Sequence, residues 1–142
     1  MIETMGLDQL ILDFDEVSKL DEATMTRMLE AGGEVVKKAH TKAIQSLMTS
    51  RSGNLAASPY VHKKVSGGSH YVLIYPKGTH HTYRPRKGSG VASNQDVAFV
   101  HEFGGHGNAA LQWMRTANEE CSSDAVDAME KQFDQFLTQH NL

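Results

Sequence analysis

The chain has 142 residues and a formal net charge of −3, with 39% hydrophobic and 22% charged side chains. That length suits a single domain, 1–142, able to bury roughly 68–70% of its unfolded surface. No apolar run approaches the ~18 residues of a membrane span. Met1-Ile2-Glu3-Thr4 lacks the basic start and apolar core of a signal peptide, and the lone Cys121 excludes an intramolecular disulfide, so synthesis in a reducing cytoplasm is expected.

Residues 1–20 form an N-terminal extension that reads two ways. Leu10, Leu12 and Phe14 alternate as in a short strand, while Leu10, Phe14 and Val17 suit a helix face. From Asp21 to about Thr49 the spacing predicts a long helix. Its apolar stripe is Met25, Met28, Leu29, Val35, Val36, Ala39, Ala43, Leu47 and Met48, and Ser18 or Asp21 caps its start. Gly32-Gly33 inside it costs roughly 1–2 kcal/mol relative to alanines, which points to a kink or to close packing against another backbone.

Arg51-Ser52-Gly53-Asn54 ends that helix, and Leu55 to Ser58 makes a short connection. Tyr60, Val61 and Val65 begin a strand, Ser66-Gly67-Gly68-Ser69 supplies a hairpin turn, and His70 to Tyr75 returns as the second strand before Pro76. Residues 77–93 are rich in Gly, Lys, Arg and His without periodicity and read as a long basic loop. Asn94 to Phe103 reads as a third strand, buried at Val97 to Val100 and running into a glycine turn. A C-terminal helix starts between Leu111 and Met114 and runs to about Gln139. Its buried stripe is Met114, Ala117, Cys121, Ala125, Met129, Phe133, Phe136 and Leu137, with Cys121 a packed thiol and acids on the outside. The expected class is α+β: a small antiparallel sheet packed against a long N-terminal and a long C-terminal helix.

Charge is partitioned along the chain. Between Glu34 and Asp96 there is no carboxylate, and ten of the fourteen Lys and Arg residues lie there, giving +10 in the centre and −13 in the flanks. Such asymmetry suits polyanion binding, or self-association in which the basic face of one copy meets the acidic face of the next. Within the basic loop, Lys77, His80, His81, Tyr83, Arg84, Arg86 and Lys87 are the candidate subunit or partner interface; the same groups could hold nucleic-acid phosphates, with Tyr83 stacking.

The string His101-Glu102-Phe103-Gly104-Gly105-His106 nearly spells a zinc peptidase. A zinc-binding helix needs its histidines four apart so that both rings share one face. Here they are five apart, about 140° out of line at roughly 100° per residue. Gly104, Gly105 and Gly107 also oppose a continuous helix there. Glu102, Phe103, Gly104 and Trp113 are therefore assigned to structure, with Phe103 packing and Glu102 pairing or capping backbone near the turn. His80-His81, with His70, His101 or His106, form no fixed chelating geometry and read as surface groups. No nucleophile elbow, P-loop or dinucleotide fingerprint occurs, and Gly88-Ser89-Gly90 is simply a flexible loop. No cofactor is expected.

Three segments in order resemble the tail-component, or tail-completion, proteins of long-tailed bacteriophages. Ser52-Gly53-Asn54-Leu55-Ala56-Ala57-Ser58 is similar to the family's S/T-G-x-L-x-x-S segment after the first long helix. Val97-Ala98-Phe99-Val100-His101-Glu102-Phe103-Gly104 is similar to its Y-A-x-x-x-E-F-G segment. Leu111-Gln112-Trp113-Met114-Arg115-Thr116-Ala117-Asn118-Glu119 stands in place of its A-R-P-F-L-R-P-A entry to the last helix. Val97 replaces the usual aromatic, Gly105 a common threonine, and Trp113 takes the aromatic slot without a preceding proline. The resemblance implies a non-enzymatic virion protein of head–tail joining or tail completion, with no catalytic residues and no membrane association. Its expected form is a ring of identical copies at the neck or head-proximal tail end. Neck, connector and tail proteins are the partners, and DNA in the channel is a possible non-specific contact. The competing readings are a metal-dependent hydrolase built on His101, Glu102 and His106, and a small non-specific DNA-binding protein.

Overall fold

Two long helices dominate the computed structural model, which describes residues 22–47, 53–79 and 92–141. The elements in chain order are α1 (Glu22–Leu47), β1 (Pro59–Ser66), β2 (Ser69–Pro76), α2 (Asn94–Phe103) and α3 (Trp113–Gln139). The class is α+β, a two-stranded antiparallel sheet flanked by the two long helices. The N-terminal extension and the end of the first helix beyond Leu47 lie outside the described residues.

α1 runs unbroken through its glycine pair, and the pair is there for space. A Cβ on Gly32 would come within 2.8 Å of Met129 Cγ on α3, and one on Gly33 within 3.0 Å of Val72 and 3.2 Å of Val61 on the hairpin. Consecutive helical residues point about 100° apart. The two glycines thus open two faces, one to α3 and one to the sheet, and α1 is the middle layer. Gly32 lies against Met129, while His40, two turns later, bonds Asn118. The two helices are therefore antiparallel.

In the hairpin Ser66 pairs with Ser69 across Gly67-Gly68, whose φ values of 57° and 78° are the positive pair that a type I′ turn demands. Val61 and Val72 face α1. Lys63, on the same side of the sheet, reaches Glu30 of α1 at 2.6 Å. On the other face Tyr60 meets Tyr75 edge-on, and Lys64 lies near the Tyr71 ring.

The expected third strand is a helix. Ser93 caps α2: its Oγ accepts the Asp96 N–H at 3.0 Å and donates to the Asp96 carboxylate at 2.7 Å. The inward residues are Asn94, Val97, Ala98 and Glu102, at helical spacing. Two of these are polar, so the stripe does not show in a hydrophobicity pattern, and the apolar run Val97 to Val100 mimics a buried strand. Among the described residues the sheet consequently has two strands.

The core cluster is Ile44, Leu55, Ala56, Val97, Ala98 and Trp113, with Ala43, Ala92 and Met114 packed around it. On α3 Trp113, Ala117, Cys121 and Phe136 are buried, and burial pushes the Cys121 thiol above its ordinary pKa. On α1 the buried set is Thr24, Gly32, Gly33, His40 and Ile44. Leu47, expected in the stripe, is 46% exposed, while Ile44, one turn earlier, is fully buried.

Replacing Gly33 by Val should lower stability by about 1–3 kcal/mol, since the added methyls meet valines anchored on the sheet. The urea midpoint measures this; an unchanged midpoint would contradict the close approach.

Candidate functional site: the α2–α3 corner and the exposed faces

α3 begins without a cap of its own. Gln112 precedes it in the left-handed region (φ 48°, ψ 39°), makes no side-chain cap bond, and no acid stands in the first turn. Helix starts leave N–H groups without intrahelical partners and carry partial positive charge. Glu102, from α2, supplies both needs. Its carboxylate accepts the Met114 N–H at 2.6 Å and the Arg115 N–H at 3.2 Å. The backbone repeats the connection, with Leu111 N–H donating to His101 O and Gln112 N–H to Glu102 O.

Between the two helices the chain turns at Gly104. Its φ is 80°, and a Cβ there would lie 3.0 Å from Ala110 N and 3.1 Å from Asn108 O. Both backbone conformation and space require glycine. Trp113 then enters the core fully buried, its indole N–H donating to Ala98 O at 3.0 Å. His40 meets that ring edge-on at 5.3 Å and places Nε2 2.8 Å from Asn118 Oδ1. Burial holds His40 below its ordinary pKa, opposed by the Asn118 bond and the Glu102 charge.

This geometry divides the peptidase-like string among separate surroundings. Glu102 turns inward onto α3, α2 stops at Phe103, and His106 sits exposed in the turn beyond (φ 52°). Among the described residues no group of three His, Cys, Asp or Glu side chains could hold a metal ion. Phe103 departs from the expectation that it packs: it is 66% exposed, its ring 4.6 Å from that of the equally exposed Phe99. The helix turns Val97 and Ala98 inward and therefore turns positions 99 and 103 outward.

Of the expected interface residues, the structure describes Lys77. Its Nζ sits 4.2 Å over the Tyr60 ring, a cation–π contact. His80, His81, Tyr83, Arg84, Arg86 and Lys87 lie outside the described residues. The two ends of that interval are tied together. Thr79 bridges to Ser93, Asn94 N–H donates to Gly78 O at 2.8 Å, and Asn94 Nδ2 donates to Lys77 O at 2.9 Å.

The acids of α3, Glu119, Glu120, Asp124, Asp127, Glu130 and Asp134, are all exposed. Among the described residues, only Glu119 of these has an ion-pair partner, Arg115. A groove of about 480 Å³ between α1 and α3 sets Lys38 and Lys42 on one wall against Glu120 and Asp124 on the other. The features that sequence reasoning missed are the outward Phe99–Phe103 pair and an apolar socket between Met25, Met28 and Met129. Reading residues 94–103 at helical period would have exposed the first; the second needs the packing of α1 on α3.

Buried Ser58, Asn94 and Glu102 hold turns and helix ends, and buried His40 ties α1 to α3, so the described polar interior does structural work, as in a scaffold protein. The match to a known family agrees. Residues 8–83, just over half the chain, match the HK97-gp10-like family, described as a bacteriophage tail component, and the chain belongs to that family. The match includes the Ser52–Ser58 segment and ends before the Glu102 corner. Its role is structural, that of a phage tail component of the head–tail joining group, and so of a virion part. No curated protein and no solved structure matches. Among the described residues no helix is long and apolar enough to cross a membrane.

Glu102→Ala should cost about 1–3 kcal/mol by leaving the start of α3 uncapped, and Glu102→Gln should cost less. Thermal melting distinguishes them, and equal melting of all three proteins would contradict the capping role. For His40 the folded pKa lies below the unfolded value, so as pH falls below about 6.5 the unfolded chain takes up a proton that the native chain refuses. Stability should therefore fall as pH is lowered from 7.5 to 5.5, and fall less steeply in His40→Gln; equal slopes in urea titrations would contradict this.

Proposed function

We propose that the protein works at the neck or head-proximal end of the tail as a closed ring of identical copies that also binds neighbouring neck, connector and tail proteins. The observation that carries this reading is the separation of charge. The exposed acids on α3 have, among the described residues, no ion-pair partner apart from that of Glu119, and the chain between Glu34 and Asp96 holds no acid at all. A ring needs one patch to meet a different patch on the next copy, and opposite charge sets the register and speed of that encounter.

The basic interval 77–93 is the partner-facing part in this reading, held at its base by the Thr79–Ser93 bridge. Replacing Arg84, Arg86 and Lys87 together by Ala should reduce assembly while leaving the monomer's circular dichroism unchanged. Particle yield and native mass measure the effect; undiminished yield would count against the interface. Retained assembly with lost duplex binding at ~50 mM salt would reassign the basic loop to DNA in the channel.

A further inference from the structure

Two large rings stand in water at one end of the molecule, and a cavity that fits apolar groups opens at the other. Phe99 and Phe103 are 62% and 66% exposed, stand one helical turn apart and touch each other, forming one ridge. The opposite face of α2 packs Val97 and Ala98 onto Ile44 and Trp113, so the ridge points away from the core at the end of α1 where Ile44 lies. The cavity, about 440 Å³, is lined by Met25, Met28 and Leu29 of α1, Met129 of α3, and His70 at the hairpin tip. Methionine is unbranched and polarizable, fills irregular gaps and makes favourable contacts with aromatic rings.

Met28 and Ile44 are sixteen residues apart on one continuous helix, roughly 24 Å at 1.5 Å per residue. The ridge and the socket of one copy stand too far apart to meet each other; those of two copies can meet. We propose that the Phe99–Phe103 ridge of one copy seats in the Met25–Met28–Met129 socket of the next. The contact is head-to-tail and closes where the rotation between copies allows. It rests on the ring reading above and supplies an apolar contact that salt does not screen, beside the charge contact that salt does.

The test uses the full chain. A knob variant, Phe99→Ser with Phe103→Ser, keeps its socket; a socket variant, Met28→Lys, keeps its knob. Each alone should be monomeric by native mass with the melting curve of a folded protein. Their equimolar mixture should give one-to-one dimers and nothing larger, because only one intact interface exists per pair. Normal assembly by both variants would overturn the contact and leave the ring standing. Normal assembly by the socket variant alone would assign the rings to another partner and overturn it too, as would a mixture without dimers. A wild-type chain that stays monomeric, alone and with tail proteins, would overturn ring and contact together. Should Met28→Lys fail to fold, Met28→Cys with Phe103→Cys should give a ladder of copies linked between chains on mild oxidation. Oxidation that leaves the chains unlinked would overturn the proposal.

Discussion

The burial of Trp113 is the constraint on which the other parts of the structure depend. Its ring has no exposure, its N–H is satisfied by Ala98 O, and its edge meets His40 of α1. One side chain thereby joins α1, α2 and α3 and, through Leu55, the link between α1 and the hairpin. An indole buried without a partner for its N–H would lose about 1–3 kcal/mol, so the position of α2 is fixed as firmly as that of the ring. Glu102 acts on the same joint from the other side. It holds the start of α3, which has no cap of its own.

Fixing α2 in this way decides which side chains reach solvent. With Val97 and Ala98 turned onto Trp113, Phe99 and Phe103 have no inward position available. With α1 held between α3 and the hairpin by the two glycine faces, the outer side of α3 is left to its acids. The surface is therefore a consequence of the core. Charge is segregated and an aromatic ridge is displayed because the interior already has its occupants, and a scaffold protein makes its contacts with what remains outside.

The two long helices, the hairpin with its Gly67-Gly68 turn and the start of α3 near Trp113 were legible because each rests on local physics: a 3.6-residue stripe, a pair of positive φ values, a run of helix formers. α2 was not legible. Its inward residues include Asn94 and Glu102, whose burial is justified by partners distant in sequence, Lys77 O for one and the α3 backbone for the other. A pattern of hydrophobicity cannot register a polar residue buried for its hydrogen bonds. Gly32-Gly33 was legible as either a kink or a close approach, and the choice between them depended on where Met129 and Val72 lie. His40 is absent from the expected α1 stripe because it is polar, and Ile44, four residues on, shares its buried face.

The peptidase-like string illustrates how the same residues answer different physical demands. In a zinc helix, histidine and glutamate are placed by their geometry toward one ion; here the five-residue separation of His101 and His106 spans a helix end and a left-handed turn. Glutamate at 102 is required for its charge, because two N–H groups at the positive end of α3 face it at hydrogen-bond distance. Glycine at 104 is required because backbone atoms of residues 108–110 leave no room for a Cβ. The Glu-Phe-Gly order therefore records a corner in which one helix ends, reverses and caps the next. The phenylalanine between those two positions has no inward partner, and that leaves it available to another molecule.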